Sequence, residues 1–148
     1  AGRLKAAGCR RFCWLAGKPD TSIIPQLAAG MERAGVTLEE SAIRYSDYTE
    51  ADGERLAAEL LQDGRFDALV ATAPQLARGA GRYVETHKLP VRIGCFDGQK
   101  STRLPTDQFI AAQTNDFEIG LTAMEKLLAL MKGNTETVQI RIPVNFTK

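Results

Sequence analysis

Three times in the first 87 residues, a short apolar run is followed by a stretch whose apolar residues recur at helical spacing. "RFCWLAG" (Arg11–Gly17) precedes "IIPQLAAGMERAG", in which Ile24, Leu27, Ala28 and Met31 share one helical face and Gly35 stands as the stop. Pro25 fits only a first turn, which puts the helix start close to Ser22. "SAIRYS" precedes "TEADGERLAAELLQDG", which opens with Thr49 and Asp52 in capping-box spacing and continues through Leu56, Leu60 and Leu61. "FDALVATA" is continuously apolar, as a strand covered on both faces should be, and precedes "PQLARGAGRYVETH" with Pro74 in its first turn. "VRIGCF" is a fourth strand, and a polar loop through Pro105 leads to a fifth, "QFIAAQ". The longest helix follows in "NDFEIGLTAMEKLLALMKG". Asn115 and Glu118 cap its start, and Phe117, Leu121, Met124, Leu127, Leu128 and Met131 form one apolar stripe. "TVQIRIPVNF" is expected to close the chain as an alternating strand.

Strands and helices alternating over short connections dictate an α/β fold, a parallel sheet with helices on both faces. In such sheets ligands sit beyond the carboxyl ends of the strands, so the loops of interest are 18–22, 47–49, 71–75 and 97–101. The 148 residues suffice for one core and are short for two lobes. With Lys and Arg scattered among Asp and Glu and a net charge of +1, no surface for direct DNA contact is expected from this segment. No apolar run is long enough to cross a bilayer, and the N-terminus lacks a signal-peptide core, so no membrane partner is expected. The chain begins at Ala1 rather than Met, as a mature form or a fragment would. Cys9, Cys13 and Cys95 are odd in number, with two in or beside strand-like runs, which argues for structural thiols and a reducing, cytoplasmic compartment. With one histidine and no CxxC, no metal site is expected.

The stretch "IGCFDGQKST" looks at first like a phosphate cradle. A P-loop needs four residues between its glycines and a lysine directly after the second. Here Gly94 and Gly98 are one residue too close, Gln99 intervenes before Lys100, and Asp97 would repel the phosphate. "GAGRYV" lies within a helix and lacks the third glycine of a dinucleotide fingerprint; close helix packing explains it better. There is no G-x-S-x-G elbow, and His87 falls at a helix end, where it suits the helix dipole. Asp97 and Asp47 could form an acid pair, but acids after strands are common in this fold class. The reading is therefore not an enzyme, with no catalytic residues and no cofactor. Binding remains. A sugar is held by a carboxylate accepting two hydroxyls, by hydroxyl and amide side chains, and by an aromatic ring on its flat face. Asp97, Tyr48, Asp20, Thr21 and Ser22 supply such a set on three loops, although Asp20 and Ser22 also suit helix capping.

The chain resembles the sugar-responsive repressors of the lactose and galactose repressor family, whose core shares the periplasmic binding-protein fold. The resemblance runs through "RRFCWLAGKPDTSIIPQLAAGM", "YSDYTEADGERLAAELL", "DALVATAPQLARGAGRYV", "IGCFDG" and "IAAQTNDFEIGLTAMEKLLALMKG", in order and at nearly the right spacing. It implies that residues 1–148 are the C-terminal effector-binding and dimerisation lobe, with 115–133 as the crossover helix of a first lobe absent here. It implies DNA binding only through an absent N-terminal helix-turn-helix. Asp97 matches the acid that binds sugar hydroxyls, Tyr48 an aromatic against the ligand, Thr21 the hydroxyl-rich first loop, and Thr114 a crossover position where family members can use Gln. Leu27 stands where family members carry an arginine, Ala73-Pro74 where they carry Asn-Asp, and the segment before "RIGCFD" is shorter. Losing a bidentate guanidinium disfavours a phosphorylated sugar. The expected role is the ligand-sensing domain of a transcription regulator for a sugar or related small polar effector. A solute-receptor lobe without DNA function is the alternative. The apolar stripe of the long helix further predicts a homodimer, with that helix a candidate for exchange between chains.

Overall fold

The computed structural model describes residues 1–96 and 108–146. Its elements run in the order α1 (Gly2–Ala6), β1 (Phe12–Leu15), α2 (Ile23–Arg33), β2 (Ile43–Arg44), α3 (Glu50–Leu61), β3 (Ala68–Ala71), α4 (Pro74–Thr86), β4 (Arg92–Phe96), β5 (Phe109–Gln113), α5 (Asp116–Met131) and β6 (Asn145–Phe146). A 3-10 turn, Glu40–Ala42, leads into β2. The sheet order is β2-β1-β3-β4-β5-β6. The first five strands are parallel, as their alternation with helices requires, and β6 adds an antiparallel edge beside β5.

Successive side chains of a strand point to opposite faces, and here both faces are covered. Cys13, Leu15, Leu69, Ala71 and Ile93 form one core with Leu56, Leu60, Leu76 and Val84 of α3 and α4. Phe12, Trp14, Ala68 and Val70 form the other with Leu4 of α1 and Ile24 and Met31 of α2. α1 was not foreseen, because five residues carry too little periodicity to register. Its Leu4 is buried and rests over Gly94, where an added Cβ would meet the leucine at 2.8 Å.

Gly79 of "GAGRYV" does serve helix packing. A Cβ at Gly79 would collide with the Glu50 carbonyl on α3, and one at Gly53 with the Leu76 carbonyl on α4. The two helices therefore touch backbone to backbone. Arg78 reaches Glu50 at 2.6 Å across this contact, while Arg82 reaches Glu50 at 3.0 Å and Glu54 at 3.3 Å. The caps also follow the sequence. Thr49 Oγ1 accepts from the Asp52 amide at 3.0 Å, and Asn115 Oδ1 from the Glu118 amide at 3.3 Å.

The C-terminal part departs from expectation. Only Asn145–Phe146 is strand, whereas residues 137–144 run without ladder bonds. Alternation supplies a face to bury, but a strand also needs an edge to bond, and the segment meets β5 only at its last residues. α5 leaves the sheet after β5, and no residue of it is buried. The Arg3 guanidinium lies 4.9 Å from the centre of the Phe146 ring, bringing α1 against β6.

Candidate functional site

Because β1 to β5 are parallel, the loops that follow them emerge along one edge of the sheet. The first two are tied together closely. The Ala16 amide donates to the Arg44 carbonyl at 2.8 Å, and Ser46 Oγ donates to the Ala16 carbonyl at 3.0 Å. Lys18 and Asp47 then pair at 3.1 Å across the loop tips, and the carboxylate raises the lysine's pKa by accepting its hydrogen bond. Tyr48 takes a left-handed backbone conformation, φ +66°, which few residues other than glycine adopt. Its ring lies over Gly17, where any Cβ would collide with the phenol. The glycine at the end of "RFCWLAG" thus makes room for an aromatic ring at the sheet edge.

Thr21 and Ser22 sit on the turn that enters α2. Thr21 Oγ1 donates to the Lys18 carbonyl at 2.7 Å, which closes the turn and leaves the hydroxyl oxygen able to accept. Ser22 occupies the position before the helix without a side-chain capping bond and is exposed, as is Asp20. Asp20, Thr21, Ser22 and Tyr48 therefore belong to one pair of adjacent loops.

Thr114 does not join them. It follows β5, three strands from β1, and at the usual strand spacing that is about 14 Å away. Its hydroxyl donates to Asp116 Oδ1 at 2.6 Å. Asp97 lies outside the described residues; β4, which leads to it, ends at Phe96 between β3 and β5. Leu27, in the arginine position, faces the other way. It is half-buried and lines an apolar cavity of about 580 Å³ between α1, α2 and the β4–β6 end of the sheet, with Met31, Phe96, Ile110 and Phe146.

Two residues were not singled out in the sequence. Thr72, just past β3, is buried; it accepts from Trp14 Nε1 at 2.9 Å and donates to the Leu15 carbonyl at 3.1 Å. It thereby pins the end of β3 to the end of β1. The only signal was a hydroxyl ending an apolar run. Ser46 does the same for β2. The three thiols are buried and none is in a disulfide, and burial pushes Cys13 up to about 12. His87 ends α4, its Nδ1 2.9 Å from the Tyr83 carbonyl and its ring against the tyrosine ring. Among the described residues, no helix is long and apolar enough to cross a membrane.

No family model matches the chain. It is 25% identical over 139 residues to the HTH-type transcriptional regulator MalR of Streptococcus pneumoniae, a match spanning 90% of this chain and 42% of that protein. The chain thus covers less than half the length of this curated relative. Among solved structures, the lactose repressor bound to the anti-inducer ONPF superposes with a TM-score of 0.82 at 20% identity, over 99% of this chain and 57% of that one. The Escherichia coli transcriptional repressor AscG gives 0.80 at 21% identity, over 99% and 57%. A complex of the transcriptional regulator CelR with cellobiose gives 0.76 at 21%, over 98% and 47%. The resemblance to the lactose and galactose repressor family read in the sequence stands on both counts, and the fold is that of the family's α/β core.

Proposed function

We propose that residues 1–148 are the C-terminal lobe of the effector-binding core of a cytoplasmic transcriptional regulator, sensing a sugar or related small polar molecule. In this reading DNA is engaged by a helix-turn-helix domain outside the chain. Residues 115–133 are the helix that crosses to the other lobe of the effector cleft. The observation that carries it is the coincidence of two things at one sheet edge. The fold matched over nearly the whole chain is that of such regulators, one of them in complex with cellobiose. The loops after β1 and β2 present hydroxyls, a carboxylate and the fixed ring of Tyr48 at the edge where α/β sheets hold ligands.

Within this assignment, Tyr48 stacks on the apolar face of the sugar, Thr21, Ser22 and Asp20 take hydroxyls, and Asp97 accepts two more. Thr114 acts from the crossover rather than beside Thr21. The experiment is a thermal-shift series over neutral mono- and disaccharides, polyols and sugar phosphates, with Tyr48→Ala and Asp97→Ala in parallel. A neutral sugar should raise Tm, and each substitution should remove most of that rise. Unchanged shifts in both variants would place the site elsewhere.

A further inference from the structure

The ring of Tyr48 is held at the sheet edge by a backbone that resists being there. Its left-handed conformation, φ +66°, lies between two anchored points: Ser46, whose hydroxyl donates to the Ala16 carbonyl at 3.0 Å, and Thr49, which caps α3. For a residue other than glycine that conformation is disfavoured by roughly fivefold to thirtyfold, and it persists only where neighbours hold it. The Tyr48 amide reaches Ser46 Oγ at 3.4 Å, which is a weak restraint. The shorter tie is one residue earlier. Lys18 Nζ pairs with Asp47 Oδ1 at 3.1 Å, and the same ammonium lies within electrostatic reach of Asp20 and the Tyr48 phenol. Lys18 is itself fixed, because its carbonyl accepts from the Thr21 amide at 3.2 Å and from the Thr21 hydroxyl at 2.7 Å. Among the described residues of loops 16–22, 45–49 and 72–73, Lys18 is the only cation. Removing it would leave the carboxylates of Asp20 and Asp47 uncompensated at the loop tips.

We propose that Lys18 is a positioning residue: its ion pair with Asp47 clasps the loop after β1 to the loop after β2 and keeps the Tyr48 ring over Gly17. The use of that ring on a sugar rests on the effector reading above; the clasp itself does not. An exposed ion pair contributes about two- to fivefold to an equilibrium, which is comparable to the lower end of the backbone cost. Loss of the pair therefore releases a measurable share of the rings, and effector affinity falls with the fraction still in place. The two side chains are 57% and 76% exposed, so salt should loosen the clasp as a substitution does.

The test needs no effector. An aromatic ring shifts the proton resonances of the residue it covers, and Tyr48→Leu supplies the Gly17 value without the ring. Heteronuclear NMR on the 148-residue chain should show Lys18→Met losing at least about a third of the difference between wild type and Tyr48→Leu at Gly17. Wild type in about 1 M sodium chloride should move the same way. Lys18→Arg should keep the wild-type value, and Gly79 should stay unshifted in every sample. A Gly17 resonance unmoved in Lys18→Met would overturn the inference, and so would a loss as large in Lys18→Arg. If no neutral sugar raises Tm, the effector reading fails while these Gly17 shifts stand.

Discussion

The sheet with its first four helices and the arm formed by α5 and residues 132–146 use similar residues to opposite effect. In the lobe, Leu60, Leu69 and Leu76 are completely buried, and α3 and α4 approach until glycine is required at both contact points. In the arm, Leu121, Leu127 and Leu128 each expose about half their surface. A leucine every three or four residues therefore says that a helix has a partner, without saying that the partner lies in the same chain. Packing closes the lobe upon itself and leaves the arm an open surface.

Substitutions can break this contrast if it is wrong. The largest difference should come from paired truncations. Leu60→Ala is expected to cost about 2–5 kcal/mol in chemical denaturation, through lost transfer energy and a cavity. Leu128→Ala should stay within about 0.5 kcal/mol. Equal losses would mean that the arm is buried on its own chain. Glycines sharpen the comparison with a change of sign. Gly79→Ala should destabilise by about 1–3 kcal/mol, because its methyl meets the α3 backbone. Gly120→Ala on α5 meets nothing within 4 Å and should instead stabilise the helix by up to about 1 kcal/mol.

The smallest effect is electrostatic and confined to the lobe. The Arg78 guanidinium holds the Glu50 carboxyl below its usual range, and the Thr49 hydroxyl and Arg55 do the same for Asp52. A depressed folded-state pKa means that the unfolded chain takes up protons first as pH falls. The stabilisation is complete above the ordinary carboxylate range and is lost as pH drops through the lowered values. Urea midpoints should thus decline on acidification below about pH 4.5, and less steeply in Arg78→Gln. An identical decline in that variant would remove the α3–α4 ion pairs from the account.

The lobe was legible because each of its elements is long enough, or buried enough, to print a period on the sequence. "FDALVATA" could hardly be anything but a doubly covered strand, and Thr49–Asp52 marked a helix start to the residue. α1 was too brief to read, and "TVQIRIPVNF" misled because its alternation describes a face rather than a bonded edge. For the candidate site, topology located the loops, but not which side chains would meet. Tyr48 reaches its place through a left-handed backbone and a missing Cβ at Gly17, neither of which leaves a period. Thr114 was read from its match to the family's crossover position, and the strand order sets it three strands from the loop after β1.

The arm departs after Gln113 and comes back at Asn145, and these two residues are partners across β5 and β6. Everything between them is, for the sheet, a parenthesis. Its two ends lie as close as the ends of a hairpin loop, so a tight turn of a few residues could join β5 to β6 directly. The lobe would then be a self-contained cassette, and its loops could be studied apart from the arm.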